Sequence, residues 1–285
     1  VNDNDPDDQF ARLYSDRVVN IIHDLYLPRY GLGNYLKPMF DHPPTIEEDR
    51  VIKNLSRAGK RLIGFCRTNL FKRLESSGHS FLLSVKRHIL RNYIYIYAIE
   101  NGLPLPIGTQ DSALFDTRNE DADSENILFG VETDNNEELT NNFLSDISQQ
   151  AELFYKLLQQ RYANNFDWLR PALFIDELEK HLEEDAHKLT EIIKLAGEWN
   201  PEKDNKLWSL HKLITEKHPW EKILVFSQFS DTVKYLEDKF KELGIDRIAG
   251  VTGDTENPTQ YARRFSPMSN EVQDDIDELR ILITT

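Results

Sequence analysis

The chain has 285 residues, 39% hydrophobic and 11% aromatic, so it can bury a substantial core and is not disordered throughout. With 49 acidic against 34 basic residues the net charge is −15, which taken alone argues against phosphate binding. No apolar run approaches the roughly 18–20 residues of a membrane span. The single cysteine, Cys66, excludes an intrachain disulfide and speaks against a thiolate zinc site, and the acidic start Val1–Asp5 is unlike a signal peptide; together they point to the cytoplasm.

The first ten residues are polar and predict a frayed end. Phe10, Leu13, Tyr14, Val18, Ile21, Ile22 and Leu25 recur at helical spacing up to Tyr26, where Pro28, Gly31 and Gly33 stop the pattern. Thr45-Ile46-Glu47-Glu48 has the form of a capping box and predicts a helix to Ala58, closed by Gly59. Further helices are predicted over Leu62–Ser76 and Phe81–Glu100, the second ended by Asn101-Gly102. Leu103–Asn142 lacks any sustained period and is strongly acidic, so it predicts a mobile insertion. Helical spacing returns over Leu144–Tyr162, Pro171–Ala196 and Lys206–Ile214.

At Trp220 the pattern changes. Lys222-Ile223-Leu224-Val225-Phe226 is a continuous apolar run suited to a parallel strand buried on both faces. Ser230 is placed to cap a helix over Asp231–Leu243. Two more strands follow at Arg247–Val251 and Arg280–Thr284, giving a strand–helix–strand unit. The fold class is therefore mixed α and α/β, a mainly α-helical region followed by a partial parallel α/β sheet. The predicted divisions are 1–102 helical, 103–143 acidic insertion, 144–215 helical and 216–285 α/β. A natural domain seldom ends on a strand, so the chain reads as a fragment.

Charge is segregated along the chain. Leu103–Gln150 carries eleven acidic residues against one basic, whereas Arg50–Arg91 carries eleven basic against one acidic. Arg67, Lys72, Arg73, Lys86, Arg87 and Arg91 suit phosphate contacts on a common exposed face, the first reading; the alternatives are neutralisation of the acidic insertion and a plain solvated surface. Glu184 and His187 have Glu-x-x-His spacing, but a bundle metal site needs a second such motif and there is none. No Gly-x-x-x-x-Gly-Lys-[Ser/Thr] occurs, so no complete nucleotide site is encoded.

Asp204-Asn205-Lys206-Leu207, followed by Lys222–Phe226 and Ser227-Gln228-Phe229-Ser230-Asp231, resembles the opening of the second RecA-like lobe of Swi/Snf-type ATPases of helicase superfamily 2. In that family this strand and turn form motif IV. Gly250-Val251-Thr252-Gly253 with Arg263-Arg264-Phe265 resembles the next turn and arginine helix, and Arg280–Thr285 the strand entering motif V. Phe71–Ser77, with Phe81 and Ser84, is similar to the helical segment joining the two lobes in bacterial members. The resemblance implies a double-stranded-DNA translocase that uses ATP and Mg²⁺ in the whole protein, with the first RecA-like lobe supplied in cis by sequence not present here. It implies that this stretch alone does not hydrolyse ATP, and that Ser227, Gln228, Thr252, Gly253, Thr284 and Thr285 contact the DNA backbone. The alternative is a non-enzymatic helical interaction module with an acidic arm.

Overall fold

The computed structural model describes residues 8–108, 143–270 and 277–285, and for 56–61 the backbone alone. In chain order the elements are α1 (Gln9–Leu13), α2 (Asp16–His23), α3 (Ile46–Ser76), α4 (Gly78–Glu100), β1 (Leu105–Ile107), α5 (Ile147–Arg161) and β2 (Asp167–Leu169). There follow α6 (Glu177–Ala196), α7 (Asn205–Lys212), β3 (Ile223–Phe226), α8 (Ser230–Glu242), β4 (Ile248–Val251), α9 (Pro258–Phe265) and β5 (Ile281–Thr284). The chain is mostly helical with a small three-stranded parallel sheet, a mixed α and α/β architecture. No helix among the described residues is long and apolar enough to cross a membrane.

The chain folds as two compact units: one holds Val1–Ser15, Lys72–Leu83 and Ala196–Thr285, the other Asp16–Phe71 and Ser84–Leu195. The first unit is built on the sheet, in the order β3–β5–β4. Central β5 is buried at Ile281, Leu282 and Ile283, as a strand covered on both faces must be. One face takes α8 and α7, where Val233, Tyr235, Phe240 and Leu207 pack with Ile248, Ile281 and Ile283. The other takes α9, where Tyr261 and Phe265 meet Ala249, Val251 and Leu282. Strand β3, expected to be buried on both faces, is covered on one: Ile223 and Val225 turn inward, but Leu224 is 45% and Phe226 73% exposed, because α9 packs on β4 and β5 rather than on β3.

Of the ten residues expected to fray, 1–7 lie outside the described residues, but 8–10 are ordered: Asp8 is buried and accepts the N–H groups of Phe10 (2.8 Å) and Ala11 (3.3 Å) to start α1. Gln9 exchanges two hydrogen bonds with the backbone of Asn200, and Phe10 packs edge-on to Trp199. In the Asp204-Asn205-Lys206-Leu207 stretch the aspartate, lysine and leucine each have a structural role. Asp204 caps α7 through the N–H groups of Lys206 and Leu207, and accepts the Tyr235 hydroxyl at 2.9 Å. Lys206 donates to the last carbonyls of α3, Glu75 and Ser76, and Leu207 enters the core.

The second unit is helical, with a two-stranded antiparallel ladder of β1 and β2 that pairs Leu105 with Leu169 and Ile107 with Asp167. Strand β1 lies at the start of the segment read as an acidic insertion; the rest of that segment, 109–142, lies outside the described residues. The capping box is realised at α3: Thr45 N–H donates to Glu48 (2.8 Å), and Glu48 N–H to the Thr45 hydroxyl (3.2 Å). Glu48 also takes the Arg170 guanidinium at 2.7 Å. Asp185 of α6 is buried and accepts the N–H groups of Tyr26 (2.8 Å) and Leu27 (2.7 Å), holding Leu27 left-handed at φ 53°. Burial pushes the Asp185 carboxyl up, while those two N–H donors pull it down less strongly.

Several boundaries differ from expectation. The helix expected over Phe10–Tyr26 is broken at Tyr14-Ser15 into α1 and α2. The one expected from Pro171 begins with a 3-10 turn, Pro171–Leu173, and α6 starts only at Glu177. Gly59 does not end a helix, since α3 runs through it without interruption. Ser230 is the first residue of α8 rather than its cap, and Phe229 takes that place without a side-chain bond.

Candidate nucleic-acid interface

Parallel pairing sets Phe226, Thr284 and Val251 level with one another across the sheet of the first unit. The residues that follow each strand therefore emerge together at its carboxyl edge, where open α/β sheets bind ligands. Ser227 N–H donates to Thr284 carbonyl (2.9 Å) and Thr285 N–H to Val251 carbonyl (3.2 Å), so the ladder extends one residue beyond the strands on both sides. The structure thus brings Ser227, Gln228, Thr252, Gly253, Thr284 and Thr285 to one end of one sheet.

Each turn has its own local chemistry. After β3, the Ser227 hydroxyl accepts the Phe229 N–H (3.3 Å), and Phe229 carbonyl accepts Thr232 and Val233 N–H to start α8. Phe229 is fully buried while its neighbour Gln228 is exposed. After β4, Thr252 and Thr255 close a turn reciprocally: Thr252 N–H donates to the Thr255 hydroxyl (2.9 Å), and Thr255 N–H to Thr252 carbonyl (3.1 Å). Gly253 is exposed, and a Cβ there would meet nothing, so packing does not demand glycine. Asn257 then caps α9 through Gln260 N–H, with Pro258 at the first helical position.

These turns present hydroxyls, an exposed side-chain amide and backbone groups, a donor set that suits sugar and phosphate oxygens. Their charged residues, Asp254 and Glu256, are acidic. Without a Lys or Arg, the turns do not fit an ATP triphosphate, so no hydrolytic step is assigned to them. Among the described residues no group of three or more His, Cys, Asp or Glu side chains could hold a metal ion. Glu184 is half-buried and His187 exposed on α6.

Burial removes two of the six cations, Arg73 and Arg91, from the exposed face expected of the basic window. Lys72 and Arg73 belong to the first unit, and Arg67, Lys86, Arg87 and Arg91 to the second. Arg73 is 3% exposed: its guanidinium pairs with Asp231 at 2.9 Å and lies 4.7 Å over the Phe229 ring. Arg91 is 7% exposed. Arg67 donates to Leu25 carbonyl, and the Lys86 ammonium lies 6.0 Å from the Phe143 ring. Lys72, Lys86 and Arg87 are half-buried. The physical reason is that α3 and α4 pack along this stretch, where long cationic stems bury their methylenes and find internal partners. Arg57, Lys60 and Arg61 have side chains outside the described residues.

Sequence reasoning missed the groups that surround the turn after β3. Ser76 Oγ lies 2.9 Å from Thr232 Oγ1 and 3.3 Å from Ser227 Oγ, and Ser80 Oγ lies 2.9 Å from Thr232 Oγ1. No local signal marks them, because the partners lie about 150 residues apart in sequence. Comparison with known proteins finds no family model that fits the chain, and no match among curated proteins or solved structures.

Proposed function

We propose that this chain is part of a Swi/Snf-type DNA translocase of helicase superfamily 2. Its three-stranded sheet then belongs to the second RecA-like lobe, and Ser227, Gln228, Thr252, Gly253 and Thr284 touch the backbone of double-stranded DNA. The observation that carries the reading is the coincidence of motif and place. Ser-Gln-Phe follows an edge strand, Thr-Gly the next strand in sequence, and Thr-Thr the central strand, and all three meet at one carboxyl edge. Side-chain and backbone donors of this kind position a protein on a duplex without reading its sequence. Of the basic window, Arg67, Lys72, Lys86 and Arg87 remain candidates for phosphate contact; Arg73 and Arg91 are withdrawn from it by burial.

ATP and Mg²⁺ belong in this reading to the whole protein, with the first lobe, and the setting is the cytoplasm. Phosphoryl transfer needs a phosphate cradle, Mg²⁺ ligands and a cation on the developing charge in one cleft. The chain by itself should therefore show no ATP turnover, with or without duplex DNA. The direct test of the reading is anisotropy of a fluorescein-labelled duplex at low salt. Ser227→Ala/Gln228→Ala should weaken binding by about tenfold, the loss of two modest hydrogen bonds. Equal affinity of that double variant and the unaltered chain would reject the interface.

A further inference from the structure

We propose that the corner between α3 and α4 positions the turn after β3, with Arg73 and Ser76 as the positioning residues that fix Ser227 and leave Gln228 facing outward. The inference deepens the reading above and rests on it for the ligand, though not for the geometry. All the groups involved lie within the first unit.

Two attachments reach the turn from that corner. Arg73, in the last turn of α3, stacks its guanidinium over Phe229 and pairs with Asp231, in the first turn of α8. The side chains of that pair are 4% and 12% exposed, so both charges have been taken largely out of water. Such a pair is a poor source of net stability, since desolvation offsets much of the attraction, but its planar, directional geometry fixes the groups it joins. It clamps the residue before α8 and the second residue within it.

The second attachment is a chain of hydroxyls, Ser80–Thr232–Ser76–Ser227. Each hydroxyl has one proton to donate and lone pairs to accept, so each bond constrains the rotor of the next. The last member is the side chain assigned to the nucleic-acid backbone. Ser227 Oγ also accepts Phe229 N–H, so its orientation is set jointly from α3 and from its own turn. Gln228 sits between two tied residues and is itself exposed. A turn held at both neighbours presents that amide without first having to be ordered, which lowers the entropic cost of binding.

The test uses the full chain with Arg73→Met, Ser76→Ala, Ser227→Ala and the Ser76→Ala/Ser227→Ala pair. The first readout is amide hydrogen exchange of the peptide 226–233, which contains the Thr232 and Val233 amides that bond to Phe229 carbonyl. Arg73→Met should speed exchange there by about tenfold or more while β4 and β5 keep their protection, as expected of a local opening. Unchanged exchange in that peptide would overturn the proposal. The second readout is anisotropy of a fluorescein-labelled duplex at low salt. Ser76→Ala removes only one hydroxyl and should fold; it should weaken binding by about threefold to tenfold, as much as Ser227→Ala does. The pair should lose no more than either single variant, because both act through one hydroxyl. Losses that add would overturn the positioning role. Faster exchange in Arg73→Met with unchanged affinity in Ser227→Ala would uphold the clamp and reject the nucleic-acid reading instead.

Discussion

Glu48 joins the start of α3 to Arg170 and is 6% exposed. The Arg170 hydrogen bond, aided by the Thr45 N–H, holds its carboxyl down at about 2, against 4.5 for the free group, with burial opposing. Because the folded value is depressed, the unfolded chain binds the proton more readily. The stabilisation is therefore complete above about pH 4.5 and is lost as pH falls toward 2, in total about 3 kcal/mol. Urea unfolding between these limits should show Glu48→Gln with a flatter pH dependence than the unaltered protein, and identical slopes would remove Glu48 from the account. A second residue-scale prediction concerns Gly78 at the start of α4. A Cβ there would overlap Cη2 and Cζ3 of the Trp199 ring and crowd Leu13. Gly78→Ala should cost about 1–3 kcal/mol and lower the thermal midpoint, since a ring held by Phe10 and Tyr235 has little room to retreat.

At the scale of elements, α3 shows what the sequence can and cannot announce. Its capping box was legible because the signal is local, four residues with a reciprocal bond. Its length was not, since Gly59 reads as a stop when taken alone. A glycine ends a helix where the chain can turn left-handed, as at Gly102, Gly197 and Gly244, all with positive φ. Beyond Gly59 the apolar period instead continues through Leu62, Cys66, Leu70 and Leu74, all buried, and the packed face carries the helix past the weak residue. The same reasoning makes Gly64 a site of easy gain: it is exposed and a Cβ would meet nothing, so Gly64→Ala should stabilise the chain by about 0.5–1 kcal/mol. A thermal midpoint that falls instead would mean that the helix bends at that point. The strands were legible as apolar runs, but their order was not. Composition gives no way to tell edge β3 from central β5, and three-residue β1 and β2 are too short to show a period. At the candidate interface, the position of the turn residues after the strands was legible because motif and strand end coincide in sequence. The Arg73–Asp231 clamp was not, because its members are 158 residues apart.

For the whole molecule, the question is how a chain of net charge −15 could hold a polyanion. Arg73 and Arg91 are buried, and the turns at the carboxyl edge carry Asp254 and Glu256 but no cation. Binding through Ser227, Gln228, Thr252 and Thr284 would rest on hydroxyl, amide and backbone groups, which release few counterions. Log affinity falls with log salt by about 0.9 for each phosphate neutralised. A hydroxyl-led interface should therefore show a slope of magnitude below about 2, shallow for a DNA-binding protein. An interface led by Arg67, Lys86 and Arg87 of the second unit would instead neutralise up to three phosphates and approach a slope of about 2.7. The overall negative charge adds a long-range repulsion that salt relieves, which flattens the dependence further at low ionic strength. Measuring duplex affinity across a tenfold range of salt separates the two. We expect the shallow slope, with Ser227→Ala lowering affinity and leaving the slope unchanged. A steep slope that drops by about one unit in Arg67→Ala, Lys86→Ala or Arg87→Ala would move the interface from the edge of the sheet to the helices of the second unit.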